Sequence, residues 1–401
     1  MCFSMYKRTI LALLMMTLLF QTAGFCRRYT VMVSLDGFRD DYTRAYRTPF
    51  FDTMADMGVS ATMQPSFPSK TFPNHYTLVT GLVPDHHGII ANTFYDEASG
   101  LTFSLGNKVT KQDPRFWGGE PIWNTAARQH LKVGVVYWPG SDVKVGGRFP
   151  DYYHDYEVKP LLSFADRVAE VGRYLRLPEN ERPDLVLAYF EDPDHQGHAF
   201  GPFSPETREA VERMDHTMHS LYETLQTLPE RDSINFIVLS DHGMASIDGD
   251  HLVNPYDYIN KDWVARIQYD IPTHIWPAKG CEKKVYEALQ AMPHVKVWRK
   301  GEVPAYLNYG TNRNIGPIVI NPDLGWTIGD RAPRIPGTHG FDPTYVAMQV
   351  MVRAVGPDFK EGYHKPGVFR NTNIYALLCH LLGIEPAAND GSLTAVQDMI
   401  R

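Results

Sequence analysis

The 401-residue chain has little cysteine, no run of basic residues and no long apolar stretch, and each shortage excludes a class of protein. Of four cysteines, Cys2 falls in the N-terminal leader, and the remaining Cys26, Cys281 and Cys379 are too few for a disulfide framework. A formal net charge of -7 without a basic patch opposes polyanion binding. A nucleic-acid polymer is therefore not an expected partner, and any phosphate bound belongs to a small molecule. The apolar run at residues 10–20 falls well short of the roughly 20 residues a membrane-spanning helix needs, so no stable membrane span is expected. Disorder is excluded as well, because 43% hydrophobic and 21% charged residues are ordinary proportions for a chain that buries a large core.

What is present begins with an address. Lys7 and Arg8 precede the apolar run and Gln21-Thr22-Ala23-Gly24 follows it, the pattern of a signal peptide over residues 1–25 and of an exported, periplasmic or extracellular protein. Lipid anchoring at Cys26 is the weaker alternative, because bulky Phe25 stands where such sites need a small residue. Nothing in the sequence specifies the cleavage position, an oligomeric state or a pairing among Cys26, Cys281 and Cys379.

Beyond the leader, β-rich apolar runs at residues 30–35, 133–138, 185–190, 235–239 and 346–354 alternate with helical patterns at residues 49–57, 121–131, 161–175, 205–225 and 373–382. Ser204 is a good N-cap before Pro205, which suits the first helical position. The alternation predicts an α/β fold with a mostly parallel central sheet and helices on both faces. Residues 245–336 read differently, rich in Pro, Gly, Trp and Tyr, with strand-like pieces at 295–299, 305–309 and 317–320. They are expected to form a smaller inserted α+β, cap-like segment between the two parts of the catalytic core, residues 26–244 and 337–401.

Ligands of open α/β sheets bind outside the carboxyl ends of the strands. Three predicted strands end there in acids or an acid–histidine pair: Asp36, then Asp192 and Asp194, then Asp241-His242. With His198, and with His339 in Gly337-Thr338-His339-Gly340, they make a set of imidazoles and carboxylates suited to two zinc ions with open positions. Two metals about 4 Å apart stabilise the entering and leaving oxygens of a displacement at phosphorus. Taken singly, Asp36-Gly37 and Asp241-His242-Gly243 read more readily as strand-ending turns than as ligands. Asp194 and His198 could equally flank a turn around Gly197. Their convergence on one rim is what favours ligands.

The loop Lys70-Thr71-Phe72-Pro73-Asn74-His75 runs into a short helix ending near Gly81. Thr71 at its start lies by unpaired backbone N–H groups and the positive end of the helix dipole, a site for phosphate. A metal at its hydroxyl would make it a nucleophile. Without metals, an N-cap threonine is the simpler account.

These motifs resemble the nucleotide pyrophosphatase/phosphodiesterase family of the alkaline phosphatase superfamily. The resemblance runs in order through Ser34-Leu35-Asp36-Gly37-Phe38-Arg39, the Thr71 loop, Thr80-Gly81-Leu82, His87-Gly88-Ile89, Trp117-Gly118-Gly119, Pro121-Ile122-Trp123, Trp138-Pro139-Gly140-Ser141-Asp142, the stretch from Glu191 to His198, Ser240-Asp241-His242-Gly243-Met244 and the His339 segment. It implies an alkaline-phosphatase-like fold, with Asp194, His198 and His339 on one zinc and Asp36, Asp241 and His242 with the Thr71 oxygen on the other. It also implies that Asn92 donates its amide to a phosphate oxygen and that Phe72 and Tyr156 sandwich a nucleobase. On the residues alone, Asn92 reads as a turn asparagine, and Phe72 and Tyr156 as core or surface aromatics; Tyr152 and Tyr153 share the run of Tyr156.

The expected activity is hydrolysis of phosphodiester or pyrophosphate bonds, releasing nucleoside monophosphate from ATP-like substrates through a phospho-threonine. Choline phosphodiesters and lysophospholipids are alternative substrates for the same core. A phosphomonoesterase would need further cations, and a non-catalytic zinc-binding surface protein would lack a ligand or Thr71. A sulfatase is excluded because Thr71-Phe72-Pro73-Asn74-His75 does not fit its C/S-x-P-x-R motif.

Overall fold

The computed structural model describes residues 27–401; the signal peptide expected at 1–25, and Cys26, lie outside them. In chain order the strands up to the insertion are β1 (Tyr29–Leu35), β2 (Val59–Gln64), β3 (Thr93–Asp96), β4 (Leu101–Ser104), β5 (Val133–Val136), β6 (Tyr152–His154), β7 (Leu185–Phe190) and β8 (Ile234–Leu239). Then come β9 (Ala245–Ser246), β10 (Leu252–Val253), β11 (Val264–Gln268), β12 (Thr273–Pro277), β13 (Val295–Arg299), β14 (Ile318–Pro322), β15 (Thr327–Ile328) and β16 (Gly337–Thr338). The chain closes with β17 (Val350–Val355) and β18 (Tyr363–Arg370).

The central sheet has the order β18-β2-β17-β8-β1-β7-β5-β6. Only β17 runs against its neighbours, and β8, β1 and β7 lie side by side in parallel. Because side chains alternate along a strand, these central strands feed two apolar layers. Met32, Leu187 and Ile237 pack with the helices Thr71–Thr80, Ile122–Arg128 and Asn373–Leu382. Val31, Val33, Val186 and Val238 pack on the opposite face with the helices Pro49–Met57, Phe164–Leu175 and Pro205–Gln226. Ser204 does cap the last of these, its hydroxyl accepting from Thr207 N–H at 3.1 Å.

Residues 245–336 contain a separate four-stranded antiparallel sheet, β11-β12-β14-β13, which buries Ile275, Val285, Leu289 and Ile320. The chain leaves and rejoins the core at neighbouring points, where β9 pairs with β16. The strand-like reading of residues 305–309 is corrected: Ala305–Leu307 is a turn of 3-10 helix after Pro304, and Asn308 at φ 47 carries the chain through a left-handed bend that a strand cannot contain. Similarly, β17 begins at Val350, after a 3-10 turn at Val346–Met348, so the strand expected over 346–354 is shorter at its start. The helix expected over 121–131 spans only Ile122–Arg128. Cys281 and Cys379 are free thiols.

Candidate functional site

Parallel pairing of β8, β1 and β7 brings their carboxyl ends to one rim, although the chain segments are far apart in sequence. Asp36 follows β1, Asp241 and His242 follow β8, and Asp194 opens a short helix, Asp194–Phe200, after β7. Gly37, at φ +70, lets the first two segments close on the third: a Cβ there would meet the Asp194 Cβ at 2.8 Å. His198 lies one turn along that helix, its Nε2 3.5 Å from Asp194 Oδ2. His339 arrives from beyond β16, its Nε2 3.7 Å from Asp194 Oδ1.

Three imidazoles are held alike. His198, His242 and His339 each donate Nδ1–H to a backbone carbonyl, of Gly337, Gly243 and Ser69 respectively, all at 2.8 Å. That bond leaves a lone pair on each Nε2. His242 Nε2 stands 3.0 Å from Asp241 Oδ2, 3.3 Å from Asp36 Oδ1 and 3.0 Å from Thr71 Oγ1. Among the described residues, Asp36 Oδ1, Asp194 Oδ1 and Asp241 Oδ2 are buried without a hydrogen-bond donor. Buried acceptors facing lone pairs at such distances are costly unless a cation lies among them.

The electrostatics agree. Burial, then the charges of Asp241 and Asp194, push the Asp36 carboxyl well above the usual carboxylate range. Burial and Asp194 do the same to Asp241, and burial raises Asp194. Burial also draws His242 and His339 well below the ordinary imidazole value. Neutral imidazoles beside carboxylates that repel one another form a donor set for divalent cations such as zinc. Two compact groups result, Asp36-Asp241-His242 and Asp194-His242-His339. His242 belongs to both, whereas the expected division gave it to the Asp36 group alone and put His198 with Asp194 and His339.

Thr71 is the first residue of the helix Thr71–Thr80, and Lys70 holds the N-cap position. The Thr71 hydroxyl is not engaged as a cap; it faces His242 Nε2. Phe72 N–H donates to Asn92 Oδ1 at 3.0 Å, fixing the amide, and among the described residues Asn92 Nδ2 has no partner.

Asp36, Thr71, Asn92, Asp194, His198 and His339 open onto one cavity of about 340 Å³, which also takes in Phe72 and Tyr156. The two aromatic rings stand apart: Phe72 tilts against Trp117 at 5.9 Å between centroids, and Tyr156 packs edge-on to Tyr137 at 5.5 Å. Asp241 and His242 are buried behind this surface. The lining also includes Lys111, paired with Glu157 and 3.9 Å from Asp142, whose carboxylate also accepts from Gln112. Lys111 and Glu157 escaped the sequence reading because a lone charged residue has no local signature. Tyr189, whose hydroxyl donates to Asp36 Oδ2 at 2.6 Å, escaped for the opposite reason: it reads as an ordinary strand aromatic.

Residues 30–342 match the family model "Type I phosphodiesterase / nucleotide pyrophosphatase". The chain is 36% identical over 375 residues to human ectonucleotide pyrophosphatase/phosphodiesterase family member 5, covering 92% of this chain and 77% of that protein. It is 35% identical over 396 residues to the venom phosphodiesterase of Macrovipera lebetinus, covering 94% of this chain but only 46% of that protein. Among solved structures, human ectonucleotide pyrophosphatase/phosphodiesterase 5 superposes with a TM-score of 0.88 at 36% identity, covering 93% of this chain and all of that one. The murine protein, an inactive threonine-to-alanine variant in complex with AMP, superposes with the same TM-score at 34% identity, with the same coverage of both chains. With an α/β sheet whose carboxyl rim gathers side chains that could hold metal ions around a helix-start threonine, and with relatives matching nearly its whole described length, the chain belongs to the type I phosphodiesterase/nucleotide pyrophosphatase family.

Proposed function

We propose that the chain is an exported two-zinc phosphodiesterase that hydrolyses nucleotide phosphodiester and pyrophosphate bonds through a phospho-threonine at Thr71. The observation that carries this reading is the set of buried, donor-less oxygens on Asp36, Asp194 and Asp241 beside the Nε2 atoms of His242 and His339 and the Thr71 hydroxyl. Asp194, His198 and His339 would hold one zinc, and Asp36, Asp241 and His242 the other, with Thr71 Oγ1 at the second. When bound, the ions supply Lewis acidity that lowers the pKa of the Thr71 hydroxyl and stabilises the oxygens entering and leaving phosphorus. Thr71 attacks phosphorus, the leaving group departs with its bridging oxygen, and water then cleaves the phospho-threonine. Asn92 Nδ2 and the N-terminus of the helix orient the remaining phosphate oxygens. Phe72 and Tyr156 form the walls for a flat base.

Relatives named as ectonucleotide pyrophosphatases and venom phosphodiesterases support the substrate class and export, and the inactive threonine variant with AMP supports a threonine nucleophile and a nucleotide ligand. Among the described residues no helix is long and apolar enough to cross a membrane. A choline phosphodiester is the second reading, since aromatic rings and the acids Asp142 and Glu157 line the cavity. Lys111 sits against both acids, which disfavours a quaternary ammonium there.

The test is a substrate panel on protein carrying measured zinc. Two zinc ions per chain, activity abolished by chelation and restored by zinc, and AMP plus pyrophosphate from ATP are the expected results. A nitrophenyl nucleotide diester should exceed nitrophenyl phosphate greatly in kcat/KM, because Asn92 and the helix start offer no further cationic clamp for a second anionic oxygen. Fewer than one zinc per chain at full activity would defeat the metal assignment, preference for the monoester would make the chain a phosphatase, and preference for glycerophosphocholine would favour the second reading.

A further inference from the structure

Among the described residues, the hairpin β3–β4 leaves the outer edge of β3 without a strand partner, and that edge begins one residue after Asn92. A free strand edge presents backbone donors and acceptors that need covering. One side chain from the insertion covers it. Gln268, at the end of β11, donates Nε2–H to Thr93 O at 2.6 Å and accepts Tyr95 N–H on Oε1 at 3.0 Å. Its amide thus makes the pair of bonds that a neighbouring strand would make. Two residues before it, the Arg266 guanidinium lies 3.7 Å from the centroid of the Tyr95 ring. Two residues after it, Asp270 pairs with Lys70 at 2.7 Å, and Lys70 is the N-cap immediately before Thr71. Gly340, next to His339, gives that lysine its space: a Cβ there would meet Lys70 Cε at 2.5 Å.

One edge of the insertion therefore grips both segments that meet at the phosphate site. The β3 segment supplies Asn92 and the Lys70 segment supplies Thr71 and Phe72, and the two are joined at the site by the bond from Phe72 N–H to Asn92 Oδ1. We propose that Gln268 is a positioning residue for Asn92, holding its amide at the distance the reaction requires, so that the inserted segment completes the phosphate-binding site. The inference rests on the reading of Asn92 as a phosphate-oxygen donor. Its energetic logic is that of orientation: a shift on the order of 1 Å in such a group costs about 100-fold in rate, while the hairpin itself stays anchored in the core by Phe94 and Phe103.

The decisive variant is Gln268→Ala in the full, zinc-loaded chain, read in two independent ways. Hydrogen exchange at the Phe72 amide should accelerate by about tenfold or more, since Asn92 Oδ1 is its acceptor. Hydrolysis of a nitrophenyl nucleotide diester should lose about 10- to 100-fold in kcat with KM within about threefold, at unchanged zinc content and melting temperature. Gln268→Glu keeps the acceptor for Tyr95 N–H but loses the donor to Thr93 O, and should fall between parent and alanine. Unchanged Phe72 exchange would overturn the proposal whatever the activity. So would a rate loss that tracks lost zinc or faster exchange throughout the core, which would make Gln268 a structural residue only. If Phe72 exchange responds but the parent does not hydrolyse the diester, the positioning role stands and the hydrolase reading falls.

Discussion

The rim of the central sheet and the interior of the inserted sheet both bury side chains, but they are packed by opposite rules. Around Leu289 the insertion buries Ile275, Val285 and Ile320 against one another, so each contact there adds stability. At the rim, Asp36, Asp194 and Asp241 each carry a buried oxygen that no donor among the described residues satisfies, and Asp241 and Asp194 raise the cost of ionising Asp36 as Asp194 does that of Asp241. The first region holds the fold together, and the second is the site proposed above to hold metal ions. Substitution should therefore separate activity from stability differently in the two places.

The largest effect is expected from Thr71→Ala. Diester turnover should fall about 1,000-fold or more, as when a nucleophile is lost, with zinc content and melting temperature near the parent's. Thr71→Ser should keep part of the rate. Near-native turnover in the alanine variant would show that the hydroxyl is only a structural neighbour of His242.

Leu289→Ala should do the reverse. Removing a fully buried leucine costs about 2–5 kcal/mol, measurable as a lower urea midpoint, while turnover of the folded fraction stays close to the parent's. A loss below about 1 kcal/mol would mean that this interior relaxes to fill the space.

Phe72→Ala probes the boundary between chemistry and recognition. Stacking on a base is worth roughly 1–3 kcal/mol, so kcat/KM for ATP should drop about 10- to 100-fold. A ring-free alkyl nitrophenyl phosphate diester should be largely unaffected. Equal losses on both would assign Phe72 to shaping the Thr71 helix.

Asp241→Asn tests the rim's strain directly. The folded carboxyl is raised above its unfolded value, so the folded state binds the proton more tightly, and stability of the metal-free protein falls as pH rises above the unfolded value near 4. Asparagine removes that penalty. The metal-free variant should melt above the parent at pH 7 and approach it toward pH 4, whereas with zinc present the parent should be the more stable. A metal-free variant that melts lower at pH 7 would show that Asp241 is already satisfied by protein.

The smallest effect belongs outside both regions. Glu170 is held down to about 2 by its hydrogen bonds with Arg173 and then His154, against opposing desolvation. Its contribution is present above the unfolded carboxyl value and is lost as pH falls through about 2. Glu170 is half-buried but its partner Arg173 is exposed, so solvent screens the pair and Glu170→Gln should cost less than about 1 kcal/mol at pH 7 in a denaturant titration, with the difference vanishing in acid.

Much of the core was readable from local pattern. The helices Pro49–Met57 and Asn373–Leu382 start and stop where the sequence predicts, because a proline at the first turn and a glycine after the last residue act within a few positions. Strands β1, β7 and β8 announce themselves as short apolar runs because both of their faces are covered. Residues 305–309 misled for the same reason in reverse: aromatic and apolar residues there suit a strand, but Pro304 and the left-handed Asn308 turn the backbone. The candidate ligands were legible as a list, since acids at strand ends carry a positional meaning.

Sequence by itself determined the strand and helix alternation, the acids and histidines available at the rim, and the placing of Thr71 at a helix start. Those are consequences of steric and solvation preferences acting over a few residues. Tertiary structure alone decided that His242 sits in both candidate ligand groups, that Lys111 pairs with Glu157 in the cavity lining, and that Gln268 reaches the edge of β3. Each of these is a meeting of side chains whose segments are distant in the chain. Their approach is set by the order in which strands pair and by where the insertion leaves and rejoins the core, and short-range preference carries no information about either.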